Sequence, residues 1–344
     1  MRNPILVEVL RGGLVESRHC GAVAVVDADG GRALALGDIE RPIYPRSAIK
    51  ALQALALVES GAADRYGLGP QELALACASH SGESGHVTTA TRMLALAGLD
   101  PTALKCGAHW PIHQPSAQAL AREGGAATAL HNNCSGKHAG FLCTACAMQA
   151  DRARYVEPAH PVQRLVKATL EGLGATTIGE DVCAVDGCSA PTWALPLDGL
   201  ARAFARFGSG VGLAPERAKA AARLRAACAE HPWHIAGTGR FCTGIMQRFG
   251  ARVFVKTGAE GVFCGALPEQ GLGIAVKCDD GASRAAEVMM AATLARLLPS
   301  AADRAALDAY VRPSLRNWNG IAVGSLRPTE ALSTRDDRTQ TGQS

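Results

Sequence analysis

Arg252-Val253-Phe254-Val255-Lys256, Gly261-Val262-Phe263-Cys264 and Gly273-Ile274-Ala275-Val276-Lys277 are three short runs rich in β-branched and aromatic residues, set apart by glycine-containing turns. That is the pattern of antiparallel strands. A matching set opens the chain: Leu6-Val7-Glu8-Val9-Leu10, a Gly12-Gly13 turn, then Cys20-Gly21-Ala22-Val23-Ala24-Val25-Val26 and, after Asp29-Gly30-Gly31, Ala33-Leu34-Ala35-Leu36. Residues 5–10 and 14–37 are therefore expected to form a meander. Between the two sets lies a long, largely helical middle, with expected helices at 46–60, 87–97, 161–172 and 216–229, and closing helices at 282–298 and 301–311. Strands at both ends with helices between them argue against a βαβ parallel fold. The economical arrangement is α+β: one antiparallel sheet made from N- and C-terminal strands, packed by helices, beside a helical middle part at about 45–250. A site is expected where the two parts meet. Residues 1–326 read as one domain; 327–344, rich in Ser, Thr, Asp, Arg and Gln, read as a disordered tail.

Composition narrows the function. The chain has 344 residues and a net charge of +4. With no basic run interleaved with aromatics, it gives no support for nucleic-acid or membrane-surface binding. Met1-Arg2-Asn3-Pro4 lacks an apolar stretch and nothing is long enough to span a bilayer, so a cytoplasmic protein is expected. The 12 cysteines are expected to be thiols, most of them filling apolar positions. Lysine is scarce: seven of the 35 basic residues, at 50, 105, 137, 167, 219, 256 and 277, leaving 28 arginines. An amine can deprotonate where a guanidinium cannot, so a retained lysine is a candidate for chemistry.

Three lysines sit in segments that suggest it. Tyr44-Pro45-Arg46-Ser47-Ala48-Ile49-Lys50-Ala51-Leu52 places Ser47 and Lys50 three apart at a helix start, a serine nucleophile with an amine base. Ser79-His80-Ser81-Gly82 offers a second serine in a glycine-rich loop, and Lys256-Thr257-Gly258 puts an amine and a hydroxyl at a strand end. S-x-x-K, a serine loop and K-T-G, in that order, match the layout of serine β-lactamases and penicillin-binding proteins. Asn132-Asn133-Cys134-Ser135-Gly136-Lys137-His138 brings Cys134, Lys137 and His138 to one helix face, and Cys188 lies in the polar loop Asp186-Gly187-Cys188-Ser189. Two thiolates and a nitrogen make a plausible tetrahedral zinc site, with Asp186 as outer support. Core or loop cysteines are the plainer reading, because neither Cys134 nor Cys188 sits in a C-x-x-C pair.

Taken together, Pro45–Lys50, Cys77–Glu83, His131–Gly140, Val185–Cys188 and Val255–Gly261 resemble the Rhizobium-type (class 3) L-asparaginases, over nearly the whole chain up to about residue 325. The resemblance implies a serine β-lactamase/glutaminase-like fold, a homodimer and hydrolysis of L-asparagine to aspartate and ammonia. It implies two Ser–Lys tandems, Ser47–Lys50 and Ser79–Lys256; zinc held by Cys134, Lys137 and Cys188; and Arg46, His138, Asp186 and Cys242 around the substrate. Ser47 is the preferred nucleophile at this stage, since amides at a helix start can stabilise an oxyanion; Ser79 is the other choice. Alternatives are a glutaminase or penicillin-recognising serine hydrolase, and a non-catalytic zinc-binding protein.

Overall fold

Eight strands form one antiparallel sheet in the computed structural model, which describes residues 2–333. They are β1 (Ile5–Arg11), β2 (Leu14–Asp27), β3 (Arg32–Leu36), β4 (Phe254–Thr257), β5 (Val262–Leu267), β6 (Leu272–Cys278), β7 (Ser314–Arg316) and β8 (Ala322–Pro328). The spatial order is β7-β8-β1-β2-β6-β5-β4, with β3 also on β2. Early and late strands thus interleave, and the α+β class follows as expected.

The long strand β2 is the spine. Its first half pairs with β1 and is largely open, while Gly21–Asp27 pairs with β6 and is buried almost throughout. Successive strand residues face opposite sides, so burying both faces takes a helical layer on each. One layer is α1 (Leu197–Ser209), whose Leu197, Leu200, Phe204 and Phe207 recur at helical spacing and are all buried. The other is α2 (Ser283–Leu297), whose Met289 and Met290 side chains reach Gly21 and Gly265. Helix α1 lies so close to β6 that a Cβ at Gly273 would stand 1.9 Å from the Ala201 carbonyl oxygen and 2.3 Å from the Ala205 nitrogen. Only glycine fits at that strand position. Helix α1 was not among the expected elements, although its apolar period is regular.

Expected helices in the middle are found at Ser84–Leu96, Pro161–Gly174 and Pro215–Glu230, and the closing pair at α2 and Ala301–Val311. Two expectations change. Residues 46–60 are not one helix but a 3₁₀ turn, Arg46–Ile49, followed by short segments Lys50–Gln53 and Leu55–Glu59. The disordered tail does not begin at 327: Arg327 and Pro328 pair with Glu8 and Val7 of β1, and Leu332 is fully buried. A strand edge on β1 needs a partner, and β8 supplies it. The remainder of that tail, 334–344, lies outside the described residues. Among the described residues, no helix is long and apolar enough to cross a membrane.

Candidate active site

The chain leaves the helix Pro70–Ala76 through Cys77-Ala78 and delivers Ser79 between two amines. Ser79 Oγ is 2.8 Å from Lys256 Nζ and 3.1 Å from Lys50 Nζ. All three residues are buried, at 5% exposure for Ser79, 1% for Lys50 and 0% for Lys256. Lys50 also donates to the carbonyls of Ala78 (2.7 Å) and Asn133 (3.2 Å), so its amine has three oxygen partners in all. Lys256 donates to the Thr257 carbonyl at 2.8 Å. Burial, and then the charge of Lys50, pushes Lys256 down to about 7. An amine that is partly neutral near pH 7 next to a serine hydroxyl can act as a general base.

Of the two expected tandems, Ser79–Lys256 is joined by a side-chain hydrogen bond and Ser47–Lys50 is not. Three residues per 3₁₀ turn do align Ser47 with Lys50, whose backbone N–H donates to the Ser47 carbonyl, yet the Lys50 amine is drawn inward by the two carbonyls and bonds Ser79 instead of the Ser47 hydroxyl. Ser47 stays half-buried on a turn held under strain, since Arg46 before it has φ 52°. Strand β4 presses on this turn. A Cβ at Gly258 would lie 2.8 Å from the Pro45 oxygen and 3.1 Å from the Ala48 nitrogen, which is why glycine ends the Lys256-Thr257-Gly258 run. Cys242 lies buried beneath, against the Thr257 backbone.

The loop that carries Ser79 is polar but buried. Ser79 N–H donates to the Ile235 carbonyl (2.9 Å), and Ser81 Oγ donates to that of Ala236 (2.6 Å). His80 Nε2 meets Ser135 Oγ at 2.9 Å. Glu83 accepts from Thr238 N–H (2.8 Å) and Thr238 Oγ1 (2.7 Å). Burying so many polar groups is tolerated only because each is bonded, and the network fixes where Ser79 can sit.

Beside this centre, Cys134 precedes the helix Ser135–Ala147, with Lys137 and His138 on its first turn. Cys188 arrives from the turn between strands Cys183–Val185 and Pro191–Trp193. Lys137 Nζ is 2.9 Å from Cys188 Sγ, Cys188 Sγ is 3.3 Å from Asp186 Oδ2, and the two cysteines hydrogen-bond each other. The hydrogen bond from Cys188 holds Cys134 well below the usual thiol range despite burial, with help from the Lys50 and Lys137 charges, and Cys188 is pushed up in return. Burial acts to lower Lys137, but the two sulfurs hold it above its ordinary value. Burial likewise opposes Asp186, which Lys137 and an ion pair with Arg46 Nε keep ionised. His138 Nδ1 bonds the Tyr155 hydroxyl at 2.7 Å; its Nε2 is buried without a partner. Burial and the nearby lysine charges keep this ring neutral. Two sulfurs and an amine in mutual reach fit a zinc ion by donor chemistry, provided Lys137 gives up its proton.

All the sequence candidates therefore fall in one region, with Lys50 acting on both Ser79 and Cys134. Sequence reading missed the Ala78 and Asn133 carbonyls, Tyr155, and the Glu83–Thr238 anchor. Ala78, Glu83 and Asn133 lie inside segments already singled out, but nothing in those segments shows which carbonyl or carboxylate faces which partner; Tyr155 and Thr238 carry no motif.

The family model described as L-asparaginase II matches residues 7–328. No curated protein sequence matches. Among solved structures, a β-lactamase (Mb2281c) from Mycobacterium bovis is similar at 16% identity and a TM-score of 0.39, over 77% of this chain and 89% of that one. The protein Mglu is similar at 14% identity and a TM-score of 0.36, over 77% of this chain and 64% of its own. These likenesses in shape are too distant to bear on the chemistry.

Proposed function

The chain belongs to the L-asparaginase II family, and we propose that it hydrolyses L-asparagine to L-aspartate and ammonia, with Ser79 carrying the acyl group. The observation behind this reading is Ser79 Oγ lying within hydrogen-bond distance of both Lys256 and Lys50. Neutral Lys256 takes the hydroxyl proton as Oγ attacks the side-chain carboxamide carbon. Lys50, an ammonium on the other side of Oγ, favours the developing negative charge. The new ammonium of Lys256 then protonates the departing nitrogen, the C–N bond breaks, and ammonia leaves an ester on Ser79. Water attacks that ester, Lys256 takes its proton and returns it to Oγ, and aspartate is released.

Around the reacting bond, Arg46, Asp186 and His138 would orient the amino-acid end of the substrate, with the unpartnered His138 Nε2 as a spare polar contact. Cys242, buried near Lys256, would help to shape the space around the base. A zinc ion on Cys134, Lys137 and Cys188 would add positive charge for the substrate's α-carboxylate. Glutamine and penicillins are the competing substrates; ammonia release separates asparagine from glutamine, and covalent labelling by a fluorescent penicillin reports the other. The protein is proposed to act as a homodimer, which sedimentation would read directly.

Ser47 is the second reading for the nucleophile, favoured by the strained Arg46 immediately before it, since backbone strain gathers at reactive sites. The deciding experiment measures ammonia from asparagine and glutamine with wild type, Ser79→Ala and Ser47→Ala, and locates the acyl adduct by mass spectrometry of quenched enzyme. Ser79→Ala should lose about a thousandfold or more in kcat and form no adduct. An adduct on Ser47, or full activity in Ser79→Ala, would reverse the assignment. No ammonia from wild type with any amide would remove the function itself.

A further inference from the structure

Strand β2 places His19, strand β6 ends on Cys278, and the turn after it presents Asp280. None belongs to the centre described above. His19 Nδ1 is 2.6 Å from Asp280 Oδ2, Cys278 Sγ is 2.9 Å from Asp280 Oδ1, and the three ligating atoms all lie within 4.8 Å of one another. His19 and Cys278 are buried, at 5% and 0% exposure, while Asp280 stands at the open side. Tetrahedral zinc, with ligands at roughly 2.0–2.3 Å, spaces them about 3.3–3.8 Å apart, so a small rotation of Asp280 suffices.

We propose that His19, Cys278 and Asp280 form a second metal site, selective for a zinc-class divalent cation and independent of Cys134, Lys137 and Cys188. The donor set is an imidazole, a thiolate and a carboxylate; hard cations such as magnesium or calcium prefer all-oxygen sets, so the sulfur selects against them. Thiolate and carboxylate together neutralise a dication. Binding releases the Cys278 proton and moves the imidazole proton from Nδ1 to Nε2. There it faces Arg284 Nη2, now 3.4 Å away. Arg284 is exposed and has Glu16 within electrostatic range as another partner. Lys277 does not compete for the site, because its amine rests on the Glu260 and Cys278 carbonyls.

The position gives the site a structural consequence. Cys278 N–H donates to the Gly261 carbonyl at 2.9 Å. Gly261 closes the turn that begins at Lys256-Thr257-Gly258, and a Cβ there would lie 2.8 Å from Cys278 Cβ. An ion on Cys278 therefore braces the turn that positions the general base.

Cobalt(II) titration of the full-length, chelator-stripped protein tests this, reading equivalents bound and the thiolate-to-cobalt charge-transfer absorption, with circular dichroism to check the fold. Two equivalents are expected for wild type, one for Cys134→Ser/Cys188→Ser, and one fewer in either background once His19→Ala/Asp280→Asn is added. If only the Cys134–Lys137–Cys188 reading is wrong, wild type takes one equivalent and still loses it with His19→Ala/Asp280→Asn. The inference is overturned if those two substitutions leave both the equivalents and the charge-transfer intensity unchanged in folded protein.

Discussion

Removing the charge of Lys50 while keeping a hydrogen-bond donor, as in Lys50→Gln, should move the working pH range of the enzyme. Lys50 and Lys256 Nζ lie 3.1 and 2.8 Å from the same Ser79 oxygen, so they are within about 6 Å of each other. Two unit charges at about 6 Å repel by about 2–3 kcal/mol at the effective dielectric typical of protein sites, equivalent to about two pH units. In wild type the proposed base, Lys256, is pushed down to about 7. Its neutral fraction falls from about one half at pH 7 to about one tenth at pH 6, so kcat/KM should fall about fivefold over that interval and level off above pH 8. In Lys50→Gln the repulsion is gone, Lys256 holds its proton to higher pH, and the rising limb moves to about pH 9. The variant then looks nearly dead at pH 7 and recovers most of its kcat/KM between pH 9 and 10. The assay is ammonia release at subsaturating asparagine from pH 5.5 to 10. A limb that stays near pH 7 in Lys50→Gln, or a wild-type profile flat from pH 6 to 8, would refute Lys256 as the base tuned by Lys50.

Lys256→Met should abolish turnover yet unfold at higher temperature by calorimetry near pH 7. A lysine depressed in the folded state binds fewer protons there than when unfolded. The wild type therefore gains stability as pH rises from about 7 toward the ordinary lysine range, and the methionine variant should lack that rise. Gly273→Ala, pushing a methyl to 1.9 Å from the Ala201 oxygen, should cost about 3 kcal/mol or more in urea unfolding; a loss under about 1 kcal/mol would mean that α1 moves freely on the sheet. Removing metal with a chelator should raise KM for asparagine more than it lowers kcat. A fall in kcat alone, at saturating asparagine in folded protein, would count against the ion's substrate-holding role.

Much of the fold was readable because β-branched runs and helical periods are local. The strands at 254–278 and the helices at 161–174 and 215–230 declare themselves in short windows. Strand β8 did not: no strand was expected over Ala322–Pro328, whose last two residues fell in the expected tail, and its pairing with β1 is what makes it a strand. Of the site, the residue types were legible, but not who touches whom. Lys50 is three residues from Ser47, and nothing local shows that the Ala78 and Asn133 carbonyls turn it toward Ser79. The same limit hid the Tyr155–His138 bond and the His19–Cys278–Asp280 cluster, both made by segments distant in sequence.

The interleaving of early and late strands has a temporal meaning. Ser79 bonds a lysine 177 residues further along, and Glu8 pairs with Arg327 across 319 residues. Contacts of such separation close late, because loop entropy must be overcome before they return any stabilisation. While the chain is being made, the serine loop emerges with neither its base nor the β5 and β6 strands that seat that base. Amide-cleaving chemistry is thereby withheld from the growing chain, and the half-built sheet, with β1 and β2 edges open, is the species most in need of protection from aggregation.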